Sequence, residues 1–224
     1  MPRVAVIGLG RFGMTLAREL GHGGAEVLAI DRNPHLVDEV KDSVAVAVRL
    51  DSTDSEALIS LKIQDVHVCV VAIGENFEAA LLTTAVVKKL GVPRIVCRAQ
   101  TAVHAEIFTR IGADEIVQPE MHAGVHLGRR LANPQLEQFI QLADGYSLIE
   151  LRAPAAFRGK SLEQLGLRTK YQVNLVAVKR LMTDPAGRRR TQIISVPRPE
   201  DRIQVDDTLV LVGDHEALAR LPKE

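Results

Sequence analysis

A glycine-rich turn near the start of the chain has the residue types and spacing that bind phosphate. The sequence GLGRFG at residues 8–13 fits the pattern G-x-G-x-x-G, directly after an apolar strand and directly before a helix. In this pattern the first glycine permits a tight turn, the second lets the backbone approach phosphates, and the third allows close helix–strand packing. Gly8, Gly10 and Gly13 therefore predict a site for a nucleotide.

Charged residues beside this turn suit the other parts of a nucleotide. Asp31 ends the second apolar strand, at the position where a carboxylate accepts hydrogen bonds from a ribose diol, and Arg32 beside it can accept a 2′-phosphate. Arg11 stands at the helix start, where N–H groups and the helix dipole attract anions and a guanidinium can add bidentate phosphate contacts. A solvated arginine on the helix surface is the alternative interpretation of Arg11.

Two further turns follow strands and so belong to the same edge of the sheet. Asp51 and Ser52 come after the third strand, and we expect them on the adenine side, because Thr53 with Glu56 fits a helix capping box. Ile73, Gly74 and Asn76 end the fourth strand and open the next helix. Asn76 suits either base recognition or a simple helix N-cap.

These residues need a parallel sheet to bring them together, and the sequence predicts one. Apolar strands at 3–8, 26–31, 44–48, 66–73, 94–97 and 115–117 alternate with helical apolar spacing, and they are apolar on both faces. We therefore predict an α/β Rossmann-type, doubly wound parallel sheet over residues 1–133. Residues 134–145 have apolar side chains at helical spacing and predict a crossover helix or linker.

The last part of the chain has a different pattern of strands and turns. Short strands at 147–152, 173–180, 190–195 and 208–212, with the turn DPAG at 184–187, predict a smaller α+β lobe over residues 146–224. A helix in the segment before this lobe would pack either on its own chain or on another subunit.

Composition excludes several classes of protein. The 224 residues are 46% hydrophobic and carry 28 basic and 28 acidic side chains, a balance that gives no electrostatic footprint for nucleic acid. No apolar run is long enough to span a bilayer and no signal-peptide pattern is present, so we expect a cytoplasmic protein. Cys69 and Cys97 lie in apolar strands, so we expect their thiols to be buried and unreactive and to pack as small apolar side chains. His122 and His126 lack an evident third metal ligand.

Together these motifs resemble a known family. GLGRFG at 8–13, AID at 29–31, LDSTD at 50–54, AIGENFE at 72–78 and GADEIVQPE at 112–120 are similar to the RCK domain, which regulates potassium conductance. FRGKSLEQLGLR at 157–168 and DDTLVLVGD at 206–214 resemble the family's C-terminal lobe. The likeness is to the gating subunits of Ktr and Trk potassium uptake systems. The resemblance implies a homo-oligomer in which dimers assemble into an octameric ring. It also implies that this ring lies at the inner face of the membrane and binds a potassium-translocating subunit.

The resemblance also implies ligands and roles. In such proteins ATP and ADP compete for the Rossmann cleft, Arg11 lies near the terminal phosphate, Arg98 near the phosphates, and Glu120 is linked to Mg²⁺ or Ca²⁺ beside ATP. Some members bind cyclic di-AMP in the C-terminal lobe. Arg168 and Asn174 are the candidates for this ligand here, and the alternative is that they are ordinary surface and core residues. The candidate nucleotide-binding residues are Gly8, Gly10, Arg11, Phe12, Gly13, Asp31, Arg32, Asp51, Ser52, Ile73, Gly74, Asn76, Arg98 and Glu120, and Glu120 is also the candidate metal ligand.

Two alternatives use the same motif. An NAD-dependent oxidoreductase is possible because the glycine turn and Asp31 would serve NAD(H) equally well, but the C-terminal lobe is small for a substrate domain and holds a single histidine, His215. The other alternative is an NAD(H)-sensing regulator. A redox-sensing repressor would need a basic recognition helix, whereas the basic run RRR at 188–190 follows a Pro–Gly turn. We therefore expect a regulatory protein and no enzyme.

Overall fold

The computed structural model describes residues 1–132, 136–183 and 188–222, and they form two compact units, Met1–His122 and Ala123–Glu224. The predicted boundary at residue 133 lies later than this division, which falls within a helix. Asn133 and Pro134, where we expected the boundary, and the predicted turn at 184–187 lie outside the described residues.

The first unit is the predicted doubly wound α/β sheet. Its strands are all parallel in the order β3-β2-β1-β4-β5-β6. Their bounds are β1 Arg3–Ile7, β2 Glu26–Asp31, β3 Val46–Arg49, β4 Val68–Val71, β5 Ile95–Arg98 and β6 Glu115–Val117. The helices between and after them are α1 Arg11–His22, α2 Pro34–Val40, α3 Ser55–Ser60, α4 Phe77–Lys89, α5 Ala102–Arg110 and α6 Pro119–Ala132.

Both faces of this sheet are buried, which explains its uninterrupted apolar strands. Along β1, Ala5 and Ile7 pack into one hydrophobic cluster, while Val4 and Val6 pack into the cluster on the opposite face. Because successive side chains of a strand point to opposite faces, only a sheet covered on both sides needs every position to be apolar. The order of the strands reverses at β1, between β2 and β4, so ligands are expected at the carboxyl ends of these strands.

The two cysteines lie inside this core as expected. Cys69 is on β4 and Cys97 on β5, and both are buried free thiols. Burial raises the pKa of Cys69 and raises the pKa of Cys97 to about 11, the latter against the opposing effect of a hydrogen bond with Thr84. Both thiols are therefore protonated at neutral pH and act as small apolar side chains.

The second unit contains an antiparallel sheet with short helices, in agreement with the predicted α+β lobe. In the described residues its strand order is β10-β9-β11-β8-β7. The strands are β7 Leu136–Ala143, β8 Tyr146–Arg152, β9 Asn174–Thr183, β10 Arg189–Ile194 and β11 Thr208–Asp214, and the helices are α7 Leu162–Leu165, α8 Leu167–Lys170 and α9 His215–Ala219. Arg168 on α8 and Asn174 at the start of β9 are both exposed.

The expected crossover helix at 134–145 is wrong. Its described part is strand β7, which pairs antiparallel with β8, and Ala143 stands opposite Tyr146 across a two-residue turn. Asp144 and Gly145 form that turn, and Gly145 has a φ of +77°. An Asp-Gly pair between two strands is a strong hairpin signal, and pairing with β8 outweighs the helical spacing of the apolar residues.

No helix in the described ranges combines the length and the apolar character that crossing a bilayer requires.

Candidate nucleotide cleft

A cleft of about 920 Å³ opens at the carboxyl ends of the parallel strands in the first unit. Every residue predicted for the nucleotide site lines this cleft except Gly13. Those residues are Gly8, Gly10, Arg11, Phe12, Asp31, Arg32, Asp51, Ser52, Ile73, Gly74, Asn76, Arg98 and Glu120. The parallel topology explains the convergence, because turns that follow neighbouring parallel strands meet at one edge of the sheet.

The glycine turn is shaped by two close approaches. Gly8 has a φ of +95°, and a Cβ atom there would lie 2.8 Å from the backbone nitrogen of Ile73. Gly13 lies behind the turn, where a Cβ atom would overlap the carbonyl oxygen of Gly8. Gly13 therefore acts by letting α1 pack against the turn, without itself facing the cleft.

The start of α1 is open toward the cleft. Gly10 is the N-cap and supplies no side-chain hydrogen bond, and the first turn contains no acidic residue. The first N–H groups of a helix have no intrahelical partner, so this end of α1 offers free donors and the positive end of the helix dipole to an anion. Arg11 lines the cleft beside these donors.

Asp31 holds the turn in place. Its Oδ2 accepts a hydrogen bond from the backbone nitrogen of Leu9 at 2.6 Å, and its Oδ1 accepts one from the backbone nitrogen of Asn33 at 2.8 Å. Each carboxylate oxygen has a second lone pair, so these bonds leave acceptor capacity for a ribose diol. Asp31 thus has a structural role that the sequence analysis did not anticipate.

The predicted capping box of Thr53 and Glu56 is wrong. Asp54 is the N-cap of α3, and its side chain accepts from the backbone nitrogens of Glu56 and Ala57. Asp51 accepts from both the backbone nitrogen and the hydroxyl of Thr53, and these hydrogen bonds hold the pKa of Asp51 below its usual value. A one-residue shift of the helix start explains the error, since aspartate caps as well as threonine does.

Ser52 and Asn76 both have partners within the protein. The buried hydroxyl of Ser52 lies 2.7 Å from the hydroxyl of Thr83, which is fully buried on α4. Asn76 is the N-cap of α4, and its side chain accepts from the backbone nitrogen of Ala79 at 2.9 Å. The N-cap interpretation of Asn76 is therefore confirmed, although Asn76 also lines the cleft.

Arg98 and Glu120 form an ion pair in the cleft. The Nη2 of Arg98 donates to Oε1 of Glu120 at 2.5 Å, and Glu120 lies in the first turn of α6 as predicted. The pKa of Glu120 is held below its usual value by a hydrogen bond from its own backbone N–H and by Arg98. Glu120 is therefore ionised at neutral pH.

The cleft also contains residues that the sequence analysis missed. Gln100 follows Arg98 by two residues at the end of β5, where the position after a strand could have indicated it. Leu36 and Leu82 provide apolar surface, but their places on α2 and α4 gave no separate signal. Leu36 and Leu82 thus add apolar walls of the kind that most small-molecule sites possess.

His122 and His126 both lie on α6, four residues apart. Over residues 1–132, 136–183 and 188–222 the structure shows no group of three or more His, Cys, Asp or Glu side chains that is placed to hold a metal ion. The histidine pair is therefore not part of a metal site formed by protein ligands in these ranges.

Comparison with known proteins matches both units. The TrkA-N domain model matches residues 4–119, and the TrkA-C domain model matches residues 147–224. The Ktr system potassium uptake protein A of Bacillus subtilis (strain 168) is 36% identical over 220 residues, which are 98% of this chain and 95% of that protein. The Ktr system potassium uptake protein A of Vibrio alginolyticus is 31% identical over 96% of this chain and 94% of that protein.

Solved structures share the fold. The GsuK channel matches with a TM-score of 0.67 and 20% identity, over 97% of this chain and 38% of that longer chain. The Kef C-terminal domain of Shewanella denitrificans in its AMP-bound form matches with a TM-score of 0.51 and 25% identity, over 58% of this chain and 79% of that chain. The chain has a TrkA-N domain followed by a TrkA-C domain, and a cleft lies at the carboxyl ends of its parallel strands. The chain therefore belongs to the RCK family of potassium-conductance regulators.

Proposed function

We propose that this chain is the regulatory subunit of a potassium channel or transporter, switched by ATP and ADP in the cleft of its first unit. The chain matches, over nearly its whole length, proteins named as potassium uptake proteins. The residues predicted to bind a nucleotide also converge on one cleft. This combination carries the proposal. In this function the protein binds its nucleotide without converting it, and it acts at the inner face of the cell membrane.

The cleft supports a nucleotide ligand. Its volume lies in the range of small-molecule sites, and it combines the uncapped start of α1 for phosphates with Asp31 for a ribose. Leu36 and Leu82 offer apolar surface for a base. NAD(H) would use the same features, so it belongs in any test of the ligand.

Assembly into dimers and an octameric ring is the second part of the proposal. Helix α6 exposes Met121, Val125 and Leu131, each at least 47% accessible. Large apolar side chains that share a helix and face solvent are typical of surfaces that other subunits cover. Light scattering with and without ATP would measure the mass of the assembly, and a monomer under both conditions would contradict the ring.

A ligand panel tests the function directly. ATP, ADP, NADH, NADPH and cyclic di-AMP are each added to the full chain, and thermal unfolding is followed, because a ligand that binds only the folded protein raises its stability. We expect ATP and ADP to stabilise the protein more than NADH does. Stabilisation by NADH alone would contradict the ATP/ADP switch and favour an NAD(H)-sensing regulator.

Arg11 should distinguish three phosphates from two. Because Arg11 lies at the start of α1, we expect Arg11→Ala to lower the affinity for ATP about tenfold and the affinity for ADP by much less, as measured by calorimetric titration. Arg18→Ala on the same helix is the matched control, since Arg18 pairs with Glu39 and does not line the cleft. Equal losses for ATP and ADP would place Arg11 away from the terminal phosphate.

A further inference from the structure

The hairpin of β9 and β10 extends beyond the other strands of its sheet. Lys179 is the last residue of β9 that pairs with β11, where it stands opposite Thr208. From Arg180 to Thr183, β9 pairs with β10 alone in the described part of the chain. We call residues 179–183 and 188–193 the β9–β10 ribbon, and over most of its length it has two strands only.

The side chains of this ribbon lie outside the hydrophobic core. Residues 181–183 and 188–193 are all exposed. The neighbouring residues Val178 and Ile194, in contrast, pack in or against the core of the second unit. A two-stranded hairpin without a buried face is marginally stable by itself, so packing in a core does not explain which side chains the ribbon carries.

The ribbon concentrates positive charge in a chain whose charges balance. The sequence KRLMTDPAGRRRTQII at residues 179–194 contains five basic residues and one carboxylate, Asp184. Lys179 pairs with Glu150, and Arg180 pairs with Asp207, so their charges are matched within the second unit. The three consecutive arginines at 188–190 outnumber the single carboxylate of this segment, and all three are exposed.

One face of the ribbon combines this charge with apolar side chains. Leu181 stands opposite Thr191, and Ile193 lies two residues further along β10, so Leu181 and Ile193 share a face. Arg189 lies two residues before Thr191 and belongs to the same face. Leu181 and Ile193 are 50% and 61% exposed. The ribbon is therefore both basic and amphipathic.

We propose that the β9–β10 ribbon binds the surface of a membrane that contains anionic lipids. The arginines at 188–190 contact the headgroup phosphates, which a guanidinium can bind through two parallel hydrogen bonds. Leu181 and Ile193 lie at the boundary between headgroups and acyl chains, where apolar side chains leave water. Clusters of basic residues are attracted to the negative potential of the cytoplasmic leaflet.

The apolar side chains favour a membrane over the other polyanions that arginines bind. A nucleic acid backbone or an acidic polypeptide offers negative charge but no apolar layer to cover Leu181 and Ile193. A membrane surface offers both. The surface agrees with the proposed location at the inner face of the cell membrane, and its binding to lipid does not depend on a nucleotide in the cleft.

Sedimentation of the full chain with lipid vesicles tests the inference. Vesicles of phosphatidylcholine alone are compared with vesicles that also contain phosphatidylglycerol, each at low and at high ionic strength. We expect binding to the anionic vesicles only, and weaker binding at high ionic strength because salt screens exposed charges. Replacing the arginines at 188–190 with glutamine should lower the partition coefficient about a hundredfold, since each basic residue near such a surface contributes about fivefold.

Two control variants separate the position of the charge from its amount. Replacing the same three arginines with lysine keeps the charge, so this variant should bind anionic vesicles nearly as well as the wild-type protein does. Arg94→Gln, Arg110→Gln and Arg220→Gln together remove three positive charges from exposed ion pairs outside the ribbon. We expect this second variant to retain most of the binding. Thermal unfolding of each variant checks that the fold is kept.

A further variant tests the apolar part of the surface. Leu181→Ser combined with Ile193→Ser removes apolar contact but no charge. We expect it to lower the partition coefficient about tenfold and to leave the dependence on ionic strength unchanged. An unchanged partition coefficient would show that the apolar side chains do not enter the membrane surface, and the lipid-binding geometry proposed for the ribbon would be wrong.

Four other outcomes would overturn the inference. Equal losses in the two glutamine variants would reduce the effect to general charge, and equal binding to both kinds of vesicle would remove the role of anionic headgroups. Absence of binding to any vesicle would exclude the membrane. Binding to duplex DNA or polyglutamate without binding to anionic vesicles would assign the ribbon to a nucleic acid or an acidic protein. None of these affects the proposed nucleotide switch, which the ligand panel tests separately.

Discussion

Replacement of Gly13 by alanine should abolish tight nucleotide binding, with a loss of affinity of about a hundredfold or more. The added Cβ atom would overlap the carbonyl oxygen of Gly8 and would also approach the side chain of Ala72 at 3.2 Å. Helix α1 must then move away from the turn, and the N–H groups at its start move with it. We also expect the free energy of unfolding of the first unit to fall by about 1–3 kcal/mol, because overpacking a dense interior is destabilising by about this amount.

Gly10→Ala separates binding from folding. Apart from its chain neighbours, no atom of residues 1–132, 136–183 and 188–222 lies within 4 Å of a Cβ atom at Gly10, and the φ of −62° at Gly10 suits any residue. The variant should therefore unfold close to the wild-type temperature, but its methyl group would stand at the start of α1, where the phosphates are expected to approach. Calorimetric titration of ATP and thermal unfolding of both variants decide the matter. Wild-type affinity in Gly13→Ala would refute the role assigned to this close packing.

Replacement of Asp207 by alanine should destabilise the second unit by about 3 kcal/mol. The Asp207 side chain is fully buried, and its two oxygens accept from Nε and Nη2 of Arg180 at 2.8 and 2.7 Å. Oδ2 also accepts from the backbone nitrogen of Gln204. The hydrogen bonds with Asp207 raise the pKa of Arg180. The Arg180 side chain is 19% exposed, so Asp207→Ala would leave a mostly buried, charged guanidinium without its carboxylate partner.

Hydrogen exchange resolved by residue is the suitable measurement, because it reports the stability of each unit separately. In Asp207→Ala, the exchange of backbone amide hydrogens should be faster in β9 and β11 than in the wild-type protein and unchanged in β1 and β2. Arg152→Ala is the control, since Arg152 and Glu137 form a solvent-exposed pair at 3.4 Å, and such pairs contribute about 0–1 kcal/mol. If Asp207→Ala and Arg152→Ala give equal exchange rates, the buried pair does not stabilise the sheet.

Much of the first unit followed from the sequence because its signals are local. Each apolar strand, glycine turn and helix start is encoded within a few residues, and parallel strands of this kind permit few arrangements. Gly8 follows β1, Asp31 ends β2 and Asn76 follows β4, and these positions were sufficient to predict one shared edge. Their convergence on one cleft confirms the topology, and their binding of a nucleotide stays a prediction.

Contacts between segments that are distant in the sequence could be identified only from the tertiary structure. The apolar spacing of residues 136–143 fits a helix, yet pairing with β8 makes them a strand, since the partner strand supplies hydrogen bonds that local spacing cannot indicate. Ser52 and Thr83, and likewise Arg98 and Glu120, are far apart in the chain and meet only in the folded protein. The sequence determined most of the polar residues that face the cleft, because the ends of parallel strands share one edge, but it did not indicate Leu36 and Leu82. The folded chain alone decided which of them bond to each other, because those distances depend on how separate turns and helices pack.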